Sequence, residues 1–257
     1  MARAVRNPAW ANDVIALSWE QLERLVPAWM PRLEAVSAST SGKRPIIVGE
    51  AREYGCGAYG CVYPTLDDLV VMKITTDDTE GEFAATLAPT LQQPICVEYH
   101  KVIKLGVKHE GKHVYLLWRQ EANLVGHLVD VVDDDKGSDV ADEIHALISD
   151  QHRFAQIAFS VLRGARMTSK FLRDLGAISD DPATVLNDWA MATTDLTTCG
   201  VPYVEGLFQG ILDVYRAQRI FFGDLHAGNL GAVPDTGAPH GIRWVITDPG
   251  HVAVVNL

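Results

Sequence analysis

The sequence predicts an α+β fold, because its residue pattern changes from strand to helix periodicity along the chain. Short runs of β-branched and aromatic residues, separated by glycine-containing turns, fill residues 46–120. Apolar residues at helical spacing dominate residues 152–218, and two short apolar runs with a Pro, Asp and Gly turn between them follow. The length of 257 residues and the 47% apolar composition suit one domain of two lobes or two small domains.

Three segments are expected along the chain. Residues 1–45 form a helical N-terminal extension that begins near Ser18, followed by the polar linker Ser37 to Pro45. Residues 46–120 form a small, strand-rich lobe, and residues 121–257 form a mostly helical lobe. Helical spacing in the second lobe predicts helices over 152–175, 183–194 and 204–218, and the acidic stretch 130–150 is interpreted as a solvated loop.

The composition excludes several classes of protein. A net charge of −11 argues against a general binder of nucleic acids or anionic membranes, since these need clustered Lys and Arg. No N-terminal apolar region typical of a signal peptide is present, and no apolar run is long enough to span a membrane. The four cysteines lack the spacing of a zinc site or a disulfide framework. A cytoplasmic protein with no nucleic acid or membrane partner is therefore expected.

A glycine-rich loop lies between two predicted strands of the small lobe. Gly55, Gly57 and Gly60 are followed by Val62, which gives the pattern G-x-G-x-x-G-x-V. Because a strand rather than a helix follows it, the pattern does not fit the dinucleotide-binding type of loop. Glycines allow the backbone to approach phosphate oxygens closely, so this loop is a candidate phosphate site.

Lys73 ends the next predicted strand, one strand beyond the glycine loop. A lysine that holds phosphates needs a carboxylate to fix it, and the short helix that follows offers Glu80 and Glu82. Glu80 is preferred because Phe83, Ala84 and Leu87 follow it at the spacing of a core-facing helix surface. A hairpin turned at Glu110–Gly111 supplies the last two strands of this lobe, and the chain then crosses to the second lobe near residues 119–123.

The stretch from Phe221 to Gly250 carries the strongest chemical signal. Asp224 precedes Asn229 by five residues, and a predicted hairpin then folds Asp248 back toward Asn229. An amide oxygen and a carboxylate are hard ligands suited to Mg²⁺, and they make Asn229 and Asp248 candidate metal ligands. Asp224 is left to orient a hydroxyl as a general base. The layout is that of phosphoryl transfer.

These motifs, in this order, resemble those of the protein-kinase-like superfamily, whose H-R-D-L-x-x-x-N and D-F-G signatures read here as FGD-LHAG-N and DPG. The sequence GDLHAGN is similar to the corresponding motif of aminoglycoside and choline kinases. Phe222 and Gly223 replace the family's His and Arg, and Pro249 replaces the Phe of D-F-G. Control through a phosphorylated activation loop is therefore not expected.

The resemblance implies a bilobal kinase-like fold with a five-stranded antiparallel small lobe and a reduced, mostly helical large lobe, because few residues follow Gly250. It implies ATP and Mg²⁺ as cofactors, with Asp224, Lys73 and Glu80 as catalytic residues. The residues implied in nucleotide binding are Gly55, Gly57, Ala58, Tyr59, Gly60, Val62 and Lys73.

The expected activity is an ATP:Mg²⁺-dependent phosphotransferase that acts on a Ser, Thr or Tyr hydroxyl of a protein substrate. The glycine loop favours a protein acceptor, whereas GDLHAGN favours a small-molecule acceptor such as an aminoglycoside or choline. A pseudokinase, or a kinase fold that transfers AMP and acts through a partner, remains a third alternative. By analogy, a compact kinase of this kind suits a bacterial or phage effector.

Overall fold

The computed structural model of the protein describes residues 55–56, 59–64, 69–109, 111–124, 137–163, 179, 181–238 and 241–255. These residues form an α+β structure that divides into two compact units. The first unit contains the described residues up to Pro89 together with Glu98–Glu121, and the second contains Thr90–Val97 and the described residues from Ala122 onward. The predicted N-terminal extension, residues 1–45, lies outside the described residues.

The first unit is built on a five-stranded antiparallel sheet with the strand order β1-β2-β3-β5-β4. Its strands are β1 (Gly55–Cys56), β2 (Gly60–Pro64), β3 (Val70–Thr75), β4 (Tyr99–His109) and β5 (Lys112–Gln120). The predicted hairpin is confirmed, because β4 and β5 pair on either side of a turn at Gly111, whose φ is 82°. Every residue of β3 is buried, so the strand that carries Lys73 lies within the core of this unit.

A short helix, α1 (Asp78–Glu82), follows β3 and continues into a π-helical turn, Phe83–Leu87. The carboxylate of Asp77 accepts hydrogen bonds from the backbone N–H groups of Thr79 and Glu80, which caps the helix. A Cβ atom at Gly81 would lie 2.4 Å from the ring of Tyr115 on β5. A residue without a side chain therefore lets α1 pack directly on the sheet.

In the second unit, the described residues form three helices and two small sheets. The helices are α2 (Gly137–Leu162), α3 (Pro182–Asp195) and α4 (Pro202–Gln218), and α3 and α4 confirm the helices predicted over 183–194 and 204–218. The remaining strands are β6 (Asn123–Leu124), β7 (Ile220–Phe222), β8 (Leu230–Pro234), β9 (Ile242–Ile246) and β10 (Val252–Val254). They form a β6-β8-β9 sheet, which contains the predicted β8–β9 hairpin, and a β7–β10 pair.

The interpretation of residues 130–150 as a loop is wrong for most of that stretch, because α2 begins at Gly137. Ala141, Ile144 and Ile148 are buried at helical spacing, while the acidic residues between them are exposed. The charges therefore lie on the solvent face of an amphipathic helix rather than in a loop. The helix predicted over 152–175 is described only as far as Leu162, where α2 ends.

Residues Thr90–Val97, which the predicted limits placed in the first lobe, belong to the second unit. Cys96 forms a parallel bridge with Ile246 of β9, where Val97 N donates to Ile246 O at 3.0 Å and Ile246 N donates to Ile95 O at 2.8 Å. This backbone pairing extends the edge of the β6-β8-β9 sheet. Within the described residues, no helix has the length and apolar content that a membrane span requires.

Candidate functional site

Lys73 and Glu80 form a buried ion pair in the first unit. The Lys73 ammonium on β3 lies 2.9 Å from Glu80 Oε2 on α1, and the two side chains are 6% and 0% exposed. The Asp77 cap fixes the first turn of α1, and this turn directs Glu80 toward the sheet. Of the two glutamates that the sequence offers, the structure pairs Lys73 with Glu80.

Glu82 has different partners, which explains why it does not compete for Lys73. Its Oε1 lies 2.5 Å from the Lys104 ammonium and accepts a hydrogen bond from Tyr115 OH at 2.9 Å. The hydrogen bond from Lys104 is the main cause that lowers the pKa of Glu82. Two residues along a helix correspond to a rotation of about 200°, so Glu80 and Glu82 point to different sides of α1.

The end of the glycine loop is fixed to the end of β3. Tyr59 O accepts hydrogen bonds from Thr76 N at 2.7 Å, Thr76 Oγ1 at 3.1 Å and Thr75 Oγ1 at 3.3 Å. A Cβ atom at Gly60 would lie 2.5 Å from Ile74 O, so only glycine fits this backbone approach. The ring of Tyr59 is exposed, and the Lys112 ammonium lies 4.1 Å from its centroid.

The remaining predicted nucleotide-binding residues are only partly described. Gly55 lies in β1 opposite Val62 of β2, so the two ends of the predicted loop are paired across adjacent strands. Gly57 and Ala58, at the centre of the loop, lie outside the described residues. The paired strands on either side are consistent with the predicted strand, loop, strand arrangement.

In the second unit, Asn229 is held by three hydrogen bonds near Asp224. Its side-chain Nδ2 donates to Asp224 O at 2.9 Å, its backbone N donates to His226 O at 2.8 Å, and its backbone O accepts from Thr247 N at 2.8 Å. Because Nδ2 is used in this way, the amide is oriented with its oxygen, Oδ1, available to bind a ligand. The side chain is 8% exposed, so this orientation is enforced by a packed surrounding.

Asp248 and Asp224 are brought to the same place by the β8–β9 hairpin. The register pairs Leu230 with Ile246, which sets Thr247 against Asn229, and Asp248 follows directly. A Cβ atom at Gly250 would lie 2.9 Å from Asp224 Oδ2, so the turn after Asp248 also adjoins Asp224. The structure therefore places Asp224, Asn229 and the Asp248 segment together.

Four residues that the sequence did not single out surround Asp224. They are His152 and Gln156 of α2, His226 of the loop, and His251. Nδ1 of His152 and Nε2 of His226 lie 3.8 Å and 3.9 Å from Asp224 Oδ1, and the two rings are 5.3 Å apart. Burial lowers the pKa of His152, and the nearby Asp224 carboxylate opposes this shift.

The donor set around Asp224 suits a metal ion that is brought by a ligand. Among the residues that the structure describes, no group of three or more His, Cys, Asp or Glu side chains could hold a metal ion. Asn229 and Asp248 supply oxygen donors, and Mg²⁺ is commonly held by one or two protein oxygens with waters and substrate phosphates completing the site.

No protein-family model matches this sequence, and no curated protein is significantly similar to it. The chemistry of the residues that the fold brings together therefore carries the functional interpretation.

Proposed function

We propose that the protein is an ATP:Mg²⁺-dependent phosphotransferase with a kinase-like bilobal fold, which transfers the γ-phosphate to an alcohol. The observation that carries this proposal is the convergence of Asp224, Asn229 and the Asp248 segment in the second unit. A base and two hard oxygen ligands are the groups that phosphoryl transfer to a hydroxyl requires. The buried Lys73–Glu80 pair in the first unit supports the same reaction.

Each residue has a stated role in this proposal. Asp224 orients the acceptor hydroxyl and takes its proton as the new O–P bond forms and the bond to the ADP leaving group breaks. Asn229 Oδ1 and the Asp248 carboxylate would hold Mg²⁺, which would neutralise phosphate charge. Glu80 fixes the ammonium of Lys73, which contacts the α and β phosphates.

The backbone of the glycine loop completes phosphate binding in the proposal. Tyr59 O is held by three donors from the end of β3, which fixes the start of β2 at Gly60. A fixed backbone can present its N–H groups to an anion and loses little conformational entropy when the anion binds.

The cellular compartment that supplies ATP and Mg²⁺ to such an enzyme is the cytoplasm.

A Ser, Thr or Tyr hydroxyl of a protein is the acceptor that we place first, because the glycine loop follows the protein-kinase pattern at every fixed position. The GDLHAGN sequence favours a second candidate, a small-molecule kinase of the aminoglycoside or choline type. AMP transfer, or nucleotide-dependent docking of a partner without chemistry, is the remaining alternative.

Labelled nucleotide separates these functions. The protein is incubated with Mg²⁺ and ATP labelled on either the γ or the α phosphate, together with a mixture of proteins or with aminoglycosides and choline. We expect the γ label to be transferred to a protein. A Lys73→Met variant serves as the negative control. The γ label on a small molecule would establish the second candidate, and the α label on a protein would establish AMP transfer. ATP binding without transfer of either label would contradict the proposed phosphotransferase activity.

A further inference from the structure

The side chain of Gln156 on α2 joins three parts of the Asp224 region. Its Nε2 atom lies 2.9 Å from Gly223 O, 3.2 Å from His251 Nδ1 and 3.3 Å from Asp224 Oδ1. Gly223 and Asp224 belong to the loop after β7, and His251 follows the Asp248–Gly250 turn. One amide group therefore links both segments of the proposed catalytic centre to a long helix.

All three contacts use the donor end of the amide. An Nε2 group carries two hydrogens, so one of them must be shared if all three neighbouring atoms act as acceptors. His251 Nδ1 can accept from Nε2 in the tautomer whose Nδ1 is unprotonated. The His251 ring is stacked on Phe159 with a centroid separation of 4.4 Å, and Phe159 lies one turn beyond Gln156 on α2. The helix therefore holds His251 from two positions.

The contacts also distinguish the two oxygens of the Asp224 carboxylate. Oδ1 accepts from Gln156 and faces the nitrogens of His152 and His226, whereas Oδ2 lies close against Gly250, where a Cβ atom would be only 2.9 Å from it. The Asp224 side chain is 26% exposed, so the hydroxyl of a substrate in solution can approach it. The two oxygens thus have separate surroundings: Oδ1 faces polar side chains, and Oδ2 faces the backbone of the turn that follows Asp248.

We propose that Gln156 is a positioning residue for Asp224, and this inference rests on the proposed phosphotransferase function. By donating to Oδ1, Gln156 holds the carboxylate of Asp224 in one orientation. By donating to Gly223 O, it fixes the backbone that carries the carboxylate. A displacement of about 1 Å in a catalytic group can lower the rate about 10²-fold, so loss of this amide affects turnover more than ATP binding.

The chain offers a matched control on the same helix. Gln151 is buried, and its Nε2 donates to Oγ1 of Thr193 on α3 at 3.4 Å. Among the described residues, no hydrogen bond joins Gln151 to Asp224. The variants Gln156→Leu and Gln151→Leu each remove one glutamine amide from α2 at nearly constant volume. A third variant, Gln156→Glu, keeps the shape and length of the side chain but replaces the donor by an acceptor.

Steady-state turnover of ATP is measured for these variants and for Asp224→Ala, with water as the acceptor when no other substrate is known. We expect Gln156→Leu and Gln156→Glu to lower kcat about 10- to 100-fold, with KM for ATP within about twofold of the wild type. Gln151→Leu should retain kcat within about twofold. Thermal melting of each variant confirms that the measured protein is folded.

The outcomes separate failure of this inference from failure of the proposed function. If the wild type turns over ATP and Asp224→Ala does not, but Gln156→Leu retains its kcat, the positioning role is overturned and the function stands. Retained kcat in Gln156→Glu alone would overturn the role of the donor. An equal loss in Gln151→Leu would show a general effect of α2 and also overturn the inference. Absence of turnover in the wild type would overturn both.

Discussion

The Lys73–Glu80 pair and the Asp224 cluster are built in opposite ways, although each contains charged residues that the sequence singled out. The Asp224 cluster is Asp224 with the neighbouring Asn229, Asp248, His152, Gln156 and His226. The first is a single direct contact of 2.9 Å between two side chains that are 6% and 0% exposed. In the second, the Asp224 carboxylate is 26% exposed and its side-chain contacts lie between 3.3 Å and 3.9 Å. The first pair is closed to solvent, whereas the Asp224 carboxylate is partly exposed.

The difference shows how stability and chemistry are divided between the two regions. Removing one partner of a buried ion pair leaves a charge in a medium of low polarity, which is strongly destabilising. A half-exposed carboxylate remains partly hydrated, so its removal costs little folding energy. Mutations in the first region should therefore act mainly on stability, and mutations in the second should act mainly on turnover.

The largest expected effect tests the second half of this comparison. Asp224→Ala should lower phosphate transfer about 10³-fold or more, since it removes the base, while ATP affinity stays within a few-fold and the melting temperature changes little. Turnover, ATP binding and melting are measured on one preparation. Asp195→Ala, at an exposed aspartate ending α3, is the control. A variant that kept most of its kcat would show that Asp224 is not the base.

The next effect tests the first half. Glu80→Ala should lower the free energy of unfolding by about 3 kcal/mol, because it removes the carboxylate from the buried Lys73 ammonium. Glu82→Ala, two residues on, should cost less, about 1 kcal/mol, because its pair with Lys104 is half exposed and it loses one hydrogen bond from Tyr115 OH. Urea unfolding measures both. Equal losses in the two variants would mean that burial does not distinguish the pairs.

A double variant sharpens this test. Replacing both partners, as Lys73→Met with Glu80→Leu, should recover most of the stability lost in Glu80→Ala, since an apolar pair carries no desolvation cost. ATP binding should nevertheless be lost, because the cation that we propose to contact the phosphates is gone. A double variant that still bound ATP would place phosphate binding elsewhere.

A smaller effect concerns the metal ligands in the Asp224 cluster. Asn229→Ala and Asp248→Ala should each raise the Mg²⁺ concentration needed for half-maximal turnover about tenfold or more, because each removes an oxygen ligand. Magnesium titration at fixed ATP measures this, with Asn187→Ala at a distant amide on α3 as the control. Unchanged titrations in both variants would contradict the metal assignment.

The smallest effect is a pH dependence of stability at His152. Burial lowers the pKa of this imidazole in the folded state, so its contribution to stability is present above the unfolded pKa of about 6.5 and is lost as the pH falls through the folded pKa. His152→Gln removes this titration. The difference in melting temperature between pH 7.5 and pH 5.5 should therefore be smaller in the variant, and an unchanged difference would contradict the prediction.

The parts of the site that local sequence determines were predictable. The pairing of Lys73 with Glu80 follows from helical spacing, because Phe83 and Ala84 identify the buried side of α1. The approach of Asp248 to Asn229 follows from a hairpin whose turn residues are visible in the sequence. In both cases a short-range pattern fixes the geometry.

The parts that depend on contacts between distant segments were not predictable. Gln156 lies 68 residues before Asp224, and a glutamine on a helix carries no mark of what it contacts. The residues after Gly137 were interpreted as a loop because the stretch is rich in acidic residues. The helical spacing of Ala141, Ile144 and Ile148, which are buried in the structure, indicates the helix instead. Tertiary packing decides both features, and a single sequence read by local patterns does not reveal such packing.

The pairing of residues 95–97 with Ile246 also limits how the protein can be dissected. The chain passes from one unit to the other at Pro89–Thr90, at Val97–Glu98 and again at Glu121–Ala122, so neither unit is a continuous piece of sequence. A fragment starting at residue 122 would expose the unpaired edge of β9 and leave empty the space beside Gly210, where Ile95 Cγ2 lies 2.5 Å from an added Cβ position. Expressing the fragment with residues 90–97 fused through a linker should restore its solubility.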